Sequence, residues 1–236
     1  MDLLLRRRMM MAPPAQEEPE ITAVFDIVDI SQPTVIIVVS GSWIDNAYSY
    51  IEVDGVKMVP TRTFQFSATG EHTVRYKVKD WAYNPLSSTF SYMTSRLVEV
   101  TLSDAVTNIP NSSFYQTGFN GPLWVINFPE TLTEIGDGAF RYDNKLKNLI
   151  LPASITRIGG YAFNYTFFEY VHVKAPTPPS LGAGVFDTGY KIYVGDGSSQ
   201  AGDDAILAAY LADSAWSAYS SILDTWYNHI TFIPTT

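Results

Sequence analysis

The chain has 236 residues, a formal net charge of −9, 46% hydrophobic and 14% aromatic residues, and no cysteine. The acidic balance argues against a nucleic-acid footprint and against docking on an anionic membrane. Without cysteine there is no disulfide framework, no thiolate metal site and no lipidated lipoprotein cysteine. No apolar run reaches the roughly 18 residues of a spanning helix, and the length suits one large or two small domains.

Residues 1–19 are compositionally separate. A secretory signal puts charge first and then about 7–15 apolar residues. Here Leu3, Leu4 and Leu5 precede Arg6, Arg7 and Arg8, and only Met9, Met10, Met11 and Ala12 follow before Pro13-Pro14. The order fits a signal peptide poorly. It leaves two expectations, a flexible tail or an anchor peptide. In the anchor, the Leu and Met side chains dock into a partner while the arginines pair with its carboxylates. Three Arg balance Asp2, Glu17 and Glu18, so the whole −9 sits on the body.

Residues 20–80 read as a small all-β module of about six strands. Ile21–Val28 and Thr34–Val39 are apolar runs, the second expected to be fully buried. Tyr48–Val53 meets Val56–Val59 across Asp54-Gly55, a strong hairpin signal. Phe64–Phe66, a turn at Ala68–Gly70 and Thr73–Val78 complete the set. Alternating strands with turns every 8–12 residues predict an immunoglobulin-like β-sandwich.

From Leu123 to Phe186 the chain says one thing three times. Phe128, Leu132, Ile135, Gly136, Ala139 and Phe140 recur 23 positions on as Leu151, Ile155, Ile158, Gly159, Ala162 and Phe163. Ile158, Gly159, Ala162 and Phe163 recur, again 23 on, as Leu181, Gly182, Val185 and Phe186. A fixed period in the low twenties predicts a solenoid, because a single unit cannot bury its apolar face alone. Within a unit, Ile126 and Phe128 alternate as a short strand, Pro129 ends it, and Gly136 is expected to supply a positive φ. Val100–Phe114 reads as an earlier copy, and Val78, Leu86 and Phe90 as a degraded first one, running the β-module straight into the solenoid. Lys191–Val194 is a last strand. A helix follows with Ile206, Leu207, Tyr210 and Leu211 on one side, N-capped by Asp203 or Asp204, and Ile230–Pro234 is expected at a sheet edge.

Catalytic chemistry has little to stand on. The three histidines, His72, His172 and His229, are isolated, and His172 is expected to point outward from its strand. No metalloprotease, nucleophile-elbow or phosphate-loop motif is present. Asp196, Asp203 and Asp204 share one loop, but without the spacing of an EF-hand, so a solvated loop is the expectation over calcium binding. No cofactor, catalytic or metal site is expected. Sequons at Asn111 and Asn164 mean little without a secretory route. Fifteen Tyr and five Trp are numerous. Trp43, Tyr48, Tyr50, Trp81 and Tyr83 are the candidates for an exposed platform for glycan or protein contact, with core packing the commoner use.

Leu146-Lys-Asn-Leu149-Ile-Leu151-Pro152-Ala-Ser154-Ile155-Thr-Arg-Ile158-Gly159-Gly-Tyr-Ala162-Phe163 resembles the unit of the BspA-like leucine-rich repeats, and the likeness extends over about residues 78–222. It implies a short solenoid with a C-terminal helical cap, preceded by a β-module, and a role in adhesion. Known members are mostly surface proteins of host-associated anaerobic bacteria and some protists. The opening Leu4–Met11 resembles short tails on phage and prophage proteins of such bacteria, which implies a virion. The expected architecture is therefore mainly β: tail 1–19, sandwich 20–80, repeat solenoid with helical cap 81–222, extension 223–236. The expected function is a non-enzymatic virion protein, such as a head fibre, decoration or tail-associated protein. It would be held by its tail to other virion proteins and bind a host-surface protein or glycan through the repeats. The alternative is a bacterial cell-surface adhesin of the BspA-like type. Phage fibres are often trimeric, but no residue here marks a homo-oligomer interface.

Overall fold

The computed structural model describes residues 19–38, 42–80, 85–93, 96–117, 123–187 and 189–231. The N-terminal part contains β1 (Glu20–Ile27), β2 (Thr34–Val35), α1 (Ser42–Ala47), β3 (Tyr48–Val53), β4 (Val56–Met58), β5 (Thr63–Phe64), β6 (Gly70–Val78) and α2 (Pro85–Phe90). Short strands follow: β7 (Leu97–Leu102), β8 (Asn108–Ile109), β9 (Val125–Asn127), β10 (Glu134–Ile135), β11 (Asn148–Leu151), β12 (Arg157–Ile158), β13 (Tyr170–Val173), β14 (Ser180–Leu181) and β15 (Lys191–Val194). The chain closes with α3 (Gln200–Ala212), a 3-10 turn (Trp216–Tyr219), β16 (Leu223–Thr225) and α4 (Trp226–Thr231). The tail expected as an anchor, Leu3 to Met11 included, lies outside the described residues.

Strand β1 turns Ile21, Ala23, Phe25 and Ile27 into the core, as a period of two requires. The β3–β4 hairpin closes through Asp54 and Gly55, with φ of 50° and 80°, the left-handed pair of a tight two-residue turn. The main sheet has the order β4-β3-β6-β1-β7-β9. Strand β1 is antiparallel to both β6 and β7, whereas β7 and β9 are parallel. One strand thus converts an antiparallel module into the first course of a parallel stack, and the sheet crosses residue 80 without interruption.

The immunoglobulin-like sandwich is not what forms among the described residues. Opposite the main sheet stands only a two-residue ladder, β2 with β5, tied down where Tyr76 Oη donates to Ile36 O at 2.7 Å. The apolar run from Thr34 stops pairing at Val35 because the Ile36 and Ile37 amides both turn to one carbonyl, Arg62 O. The degraded first repeat keeps its ring and loses its strand. Val78 ends antiparallel β6, while Phe90 is stacked in the solenoid.

Each solenoid turn carries two short strands. One row runs Ile109, Ile135, Ile158 and Leu181 side by side through β8, β10, β12 and β14. The other aligns Val100 with Ile126, then Leu149, Val171, Ile192 and Leu223 through β11, β13, β15 and β16. The rows enclose a column of phenylalanines. Phe90, Phe114, Phe140, Phe163 and Phe186 stack at 5.2, 4.9, 5.4 and 5.6 Å with interplanar angles of 13° or less.

The recurring glycine acts differently from the expected positive φ. Gly136, Gly159 and Gly182 have ordinary φ and instead permit close approach. A Cβ on Gly136 would lie 2.6 Å from Asn111 N, and one on Gly159 2.5 Å from Asp137 N. The left-handed residue falls two positions later, at Ser112, Gly138, Tyr161 and Gly184.

At the C-terminal end, Trp216 and Tyr219 meet the Phe186 ring at 5.9 and 5.6 Å. Trp216 Nε1 donates to Pro179 O at 2.8 Å and Tyr210 Oη to Ala175 O at 2.9 Å, so both buried aromatics satisfy their polar atoms on the last turn. Ser199, rather than Asp203 or Asp204, is the N-cap of α3. Asp203 is drawn inward, where its carboxylate accepts from Asp196 N, Gly197 N and Tyr227 N. Of the expected edge strand Ile230–Pro234, Ile230 and Thr231 are helical and the rest lies outside the described residues. The strand is β16, and α4 folds back from it. This return explains His172, which faces away from the phenylalanines yet is 4% exposed. Its ring stacks on Trp226 at 3.9 Å, and Nε2 lies 2.7 Å from Gly195 O.

Two outcomes test this packing. Gly159→Ala forces a methyl against backbone that cannot move alone, and is expected to cost about 1–3 kcal/mol in chemical denaturation. Burial holds the His172 imidazole below its ordinary value of 6.5. As pH falls through that value the unfolded chain takes up the proton first, so stability drops. The thermal midpoint should fall between pH 7 and 5, and His172→Gln should flatten that dependence.

Candidate recognition surface

Directly after each stacked phenylalanine the chain makes a sharp bend. Among the described residues, the residue two positions on is left-handed after the first four rings: Tyr92 (φ 58°), Gln116 (58°), Tyr142 (69°) and Tyr165 (60°). The bend is set by hydrogen bonds to the next turn. Phe114, Phe140 and Phe163 amides donate to Ala139, Ala162 and Val185 carbonyls. Tyr92, Gln116 and Tyr142 amides donate to Tyr115, Arg141 and Asn164 carbonyls at 2.8–3.0 Å. Left-handed residues on both sides of the ring thus keep alternate amides aimed along the stack.

This backbone carries an outer aromatic column. Tyr92–Tyr115, Tyr115–Tyr142 and Tyr142–Tyr165 ring centroids are 5.2, 5.7 and 4.8 Å apart, the last pair coplanar within 3°. Tyr92 is 60% exposed and Tyr165 49%. Tyr161, also left-handed, and Phe167 are exposed as well. The Arg141 guanidinium stands 4.9 Å from the Tyr142 centroid, 5.3 Å from Tyr161 and 5.9 Å from Tyr165. A bulky side chain in left-handed backbone costs about 1–2 kcal/mol. Four tyrosines in that conformation are a sign that the rings are kept for something other than stability.

A second feature lies on the strand row. Strand β9 ends one sheet and β11 begins another, although β10 and β12 behind them stay paired. Where the row splits, a groove of about 380 Å³ opens between Trp124–Glu130 and Lys147–Pro152, flanked by Tyr170 and Lys174. The Trp124 indole is half exposed at its mouth, and Lys174 Nζ is 2.9 Å from Glu130 Oε1.

Of the platform expected from sequence, only Tyr48 and Tyr50 have described side chains. Tyr48 is buried, its hydroxyl donating to Pro85 O at 2.9 Å and bonded to Thr89. Tyr50 is partly buried under Lys57, whose Nζ sits 3.5 Å above the ring. Trp81, Tyr83 and the Trp43 side chain lie outside the described residues. The outer tyrosines carried a usable signal: aromatic residues one or two positions after the recurring phenylalanine, at Tyr92, Tyr115, Tyr142 and Tyr165. Among the described residues no three His, Asp or Glu side chains converge as a metal site would require, and no helix is long and apolar enough to cross a membrane. The Asp203 carboxylate is spent on three backbone amides.

The strain has a direct test. Gly138 and Gly184 occupy the position of Tyr161 in adjacent turns. Tyr161→Gly should leave thermal stability unchanged or raise it by up to about 1 kcal/mol, because relief of left-handed strain offsets the greater freedom of unfolded glycine. A loss above about 1 kcal/mol would mean that the ring is there for packing.

Residues 86–192 match the family model described as the BspA type leucine rich repeat region, in six copies. A comparison with curated proteins finds no match. The phenylalanine column and strands β7 to β14 lie within that matched span, and the repeats are similar to leucine-rich repeats of the BspA type.

Proposed function

We propose that this protein is a non-enzymatic adhesion and recognition protein. Its contact surface is the outer tyrosine column of the solenoid. The observation that carries the reading is three large aromatic rings, Tyr142, Tyr161 and Tyr165, held in left-handed backbone around an arginine. Rigid tyrosines supply contact area with little conformational entropy to lose, which is why they dominate recognition surfaces.

Two settings fit such a surface. In the first, the chain is a virion component, held to other virion proteins through residues 1–19, with Leu3–Leu5 and Met9–Met11 docked and Arg6–Arg8 paired to carboxylates. The resemblance of that tail to phage and prophage openings supports it. In the second, it is a bacterial cell-surface adhesin, and the repeat match over residues 86–192 favours this setting. Mass spectrometry of purified particles alongside washed host envelopes separates them. Many copies of the chain in particles establish the first; the chain on envelopes and absent from particles establishes the second.

Adhesion is tested by the surface itself. Tyr142→Ser combined with Tyr165→Ser is expected to reduce binding of the full chain to host cells by on the order of tenfold or more, while the fold and thermal midpoint hold. Undiminished binding would remove the tyrosine column from the function.

A further inference from the structure

We infer that Arg141, with the tyrosines around it, is a site for the carboxylate of an acidic sugar. The inference rests on the tyrosine column being the recognition surface and names what that surface takes.

The residues one position after Phe140, Phe163 and Phe186 form their own row: Arg141, Asn164 and Asp187. The Asp187 carboxylate can only accept, and it takes Asn164 Nδ2 at 3.0 Å and the Tyr165 amide at 2.5 Å. That fixes the Asn164 amide with its oxygen toward the previous turn, where Oδ1 accepts from Arg141 Nε at 3.2 Å. The guanidinium is therefore aimed through two side chains, from the side opposite its terminal nitrogens. One of its five N–H donors is used, and among the described residues no carboxylate lies within ion-pair distance of Arg141.

What remains is a planar fork of N–H groups among the rings of Tyr142, Tyr161 and Tyr165, and this fork matches a carboxylate in a bidentate fashion. The Tyr161 and Tyr165 hydroxyls and ring faces supply polar and apolar contacts beside it, the mixture a pyranose ring presents. A net charge of −9 disfavours a polyanion. The ligand is thus a largely neutral saccharide bearing one carboxylate, such as a terminal sialic or uronic acid.

The test titrates the full chain with sialyllactose, lactose, sulfated lactose and heparin. Sialyllactose is expected to bind on the order of tenfold more tightly than lactose, with the preference falling as salt rises. Arg141→Gln should abolish that preference, so that sialyllactose binds no more tightly than lactose. Arg141→Lys, which keeps the charge and loses the fork, should lose most of it. Asp187→Asn should weaken it, since Asn164 is then free to turn its amide.

Equal binding of sialyllactose and lactose, or a preference that survives Arg141→Gln, overturns the inference. Tighter binding of sulfated lactose or heparin overturns the assignment to a single carboxylate. The broader reading fails separately. If cell adhesion is indifferent to Tyr142 and Tyr165 while the Arg141-dependent preference holds, the acidic-sugar site stands without the adhesive role. If adhesion needs the tyrosines and the sugars do not discriminate, the adhesive surface stands without this ligand.

Discussion

The distance between one turn of the solenoid and the next governs this structure. Backbone ladders hold neighbouring strands about 4.8 Å apart, and flat rings stack comfortably at nearly the same spacing. The phenylalanine column at 4.9–5.6 Å is where the two requirements meet. Each ring contributes roughly 1.5–3 kcal/mol by burial, but only if a ring lies on both sides of it. Everything between consecutive phenylalanines must then fit one turn of fixed rise. The glycines at 136, 159 and 182 have no room for a methyl, and the bend after each ring has to be left-handed.

A stack of this kind has two open ends, and the chain closes them by different means. At the C-terminal end Trp216 and Tyr219 set tilted or edge-on rings against Phe186, and α4 shelters the outer face of the strand row. At the N-terminal end Tyr76 meets Phe90 edge-on at 5.8 Å, and β1 supplies an antiparallel neighbour for β7. A ring that offers its edge satisfies the last face of the column and gives no flat surface for another to stack on. Trp216 and Tyr76 donate to carbonyls of the body and the Tyr219 hydroxyl accepts from the Phe186 amide, so the ends are sealed rather than merely covered.

The period, the inward residues, the hairpin at Asp54-Gly55 and the helical cap were legible in the sequence because each depends on local spacing. What escaped were consequences of one segment meeting another far along the chain. Strand β1 reads as the first strand of a sandwich until β7 claims its second edge. His172 alternates outward correctly and is buried only because α4 returns over it. Gly159 was noticed, with the wrong reason attached, since a close approach between turns leaves no trace in the turn itself. The aromatic platform was sought among the tryptophans and tyrosines before the repeats. The exposed aromatic column that the structure does show lies within the repeats, at positions set by the left-handed bend. The coupling of Arg141 to Asp187 needs two repeat steps to be seen at all.

Strand β1 also decides how the protein carries load. It begins at Glu20, directly after residues 1–19, and is hydrogen-bonded along both edges, eight residues deep against β6 and five against β7. Its inner face buries Ile21, Ala23, Phe25 and Ile27. A pull on the tail along the strand axis therefore strains both ladders at once, in shear, instead of peeling bonds one after another. A ligand held on the tyrosine column and a tether at the N-terminus would pull against each other through the β1–β7 junction, so that junction limits the force the molecule can bear.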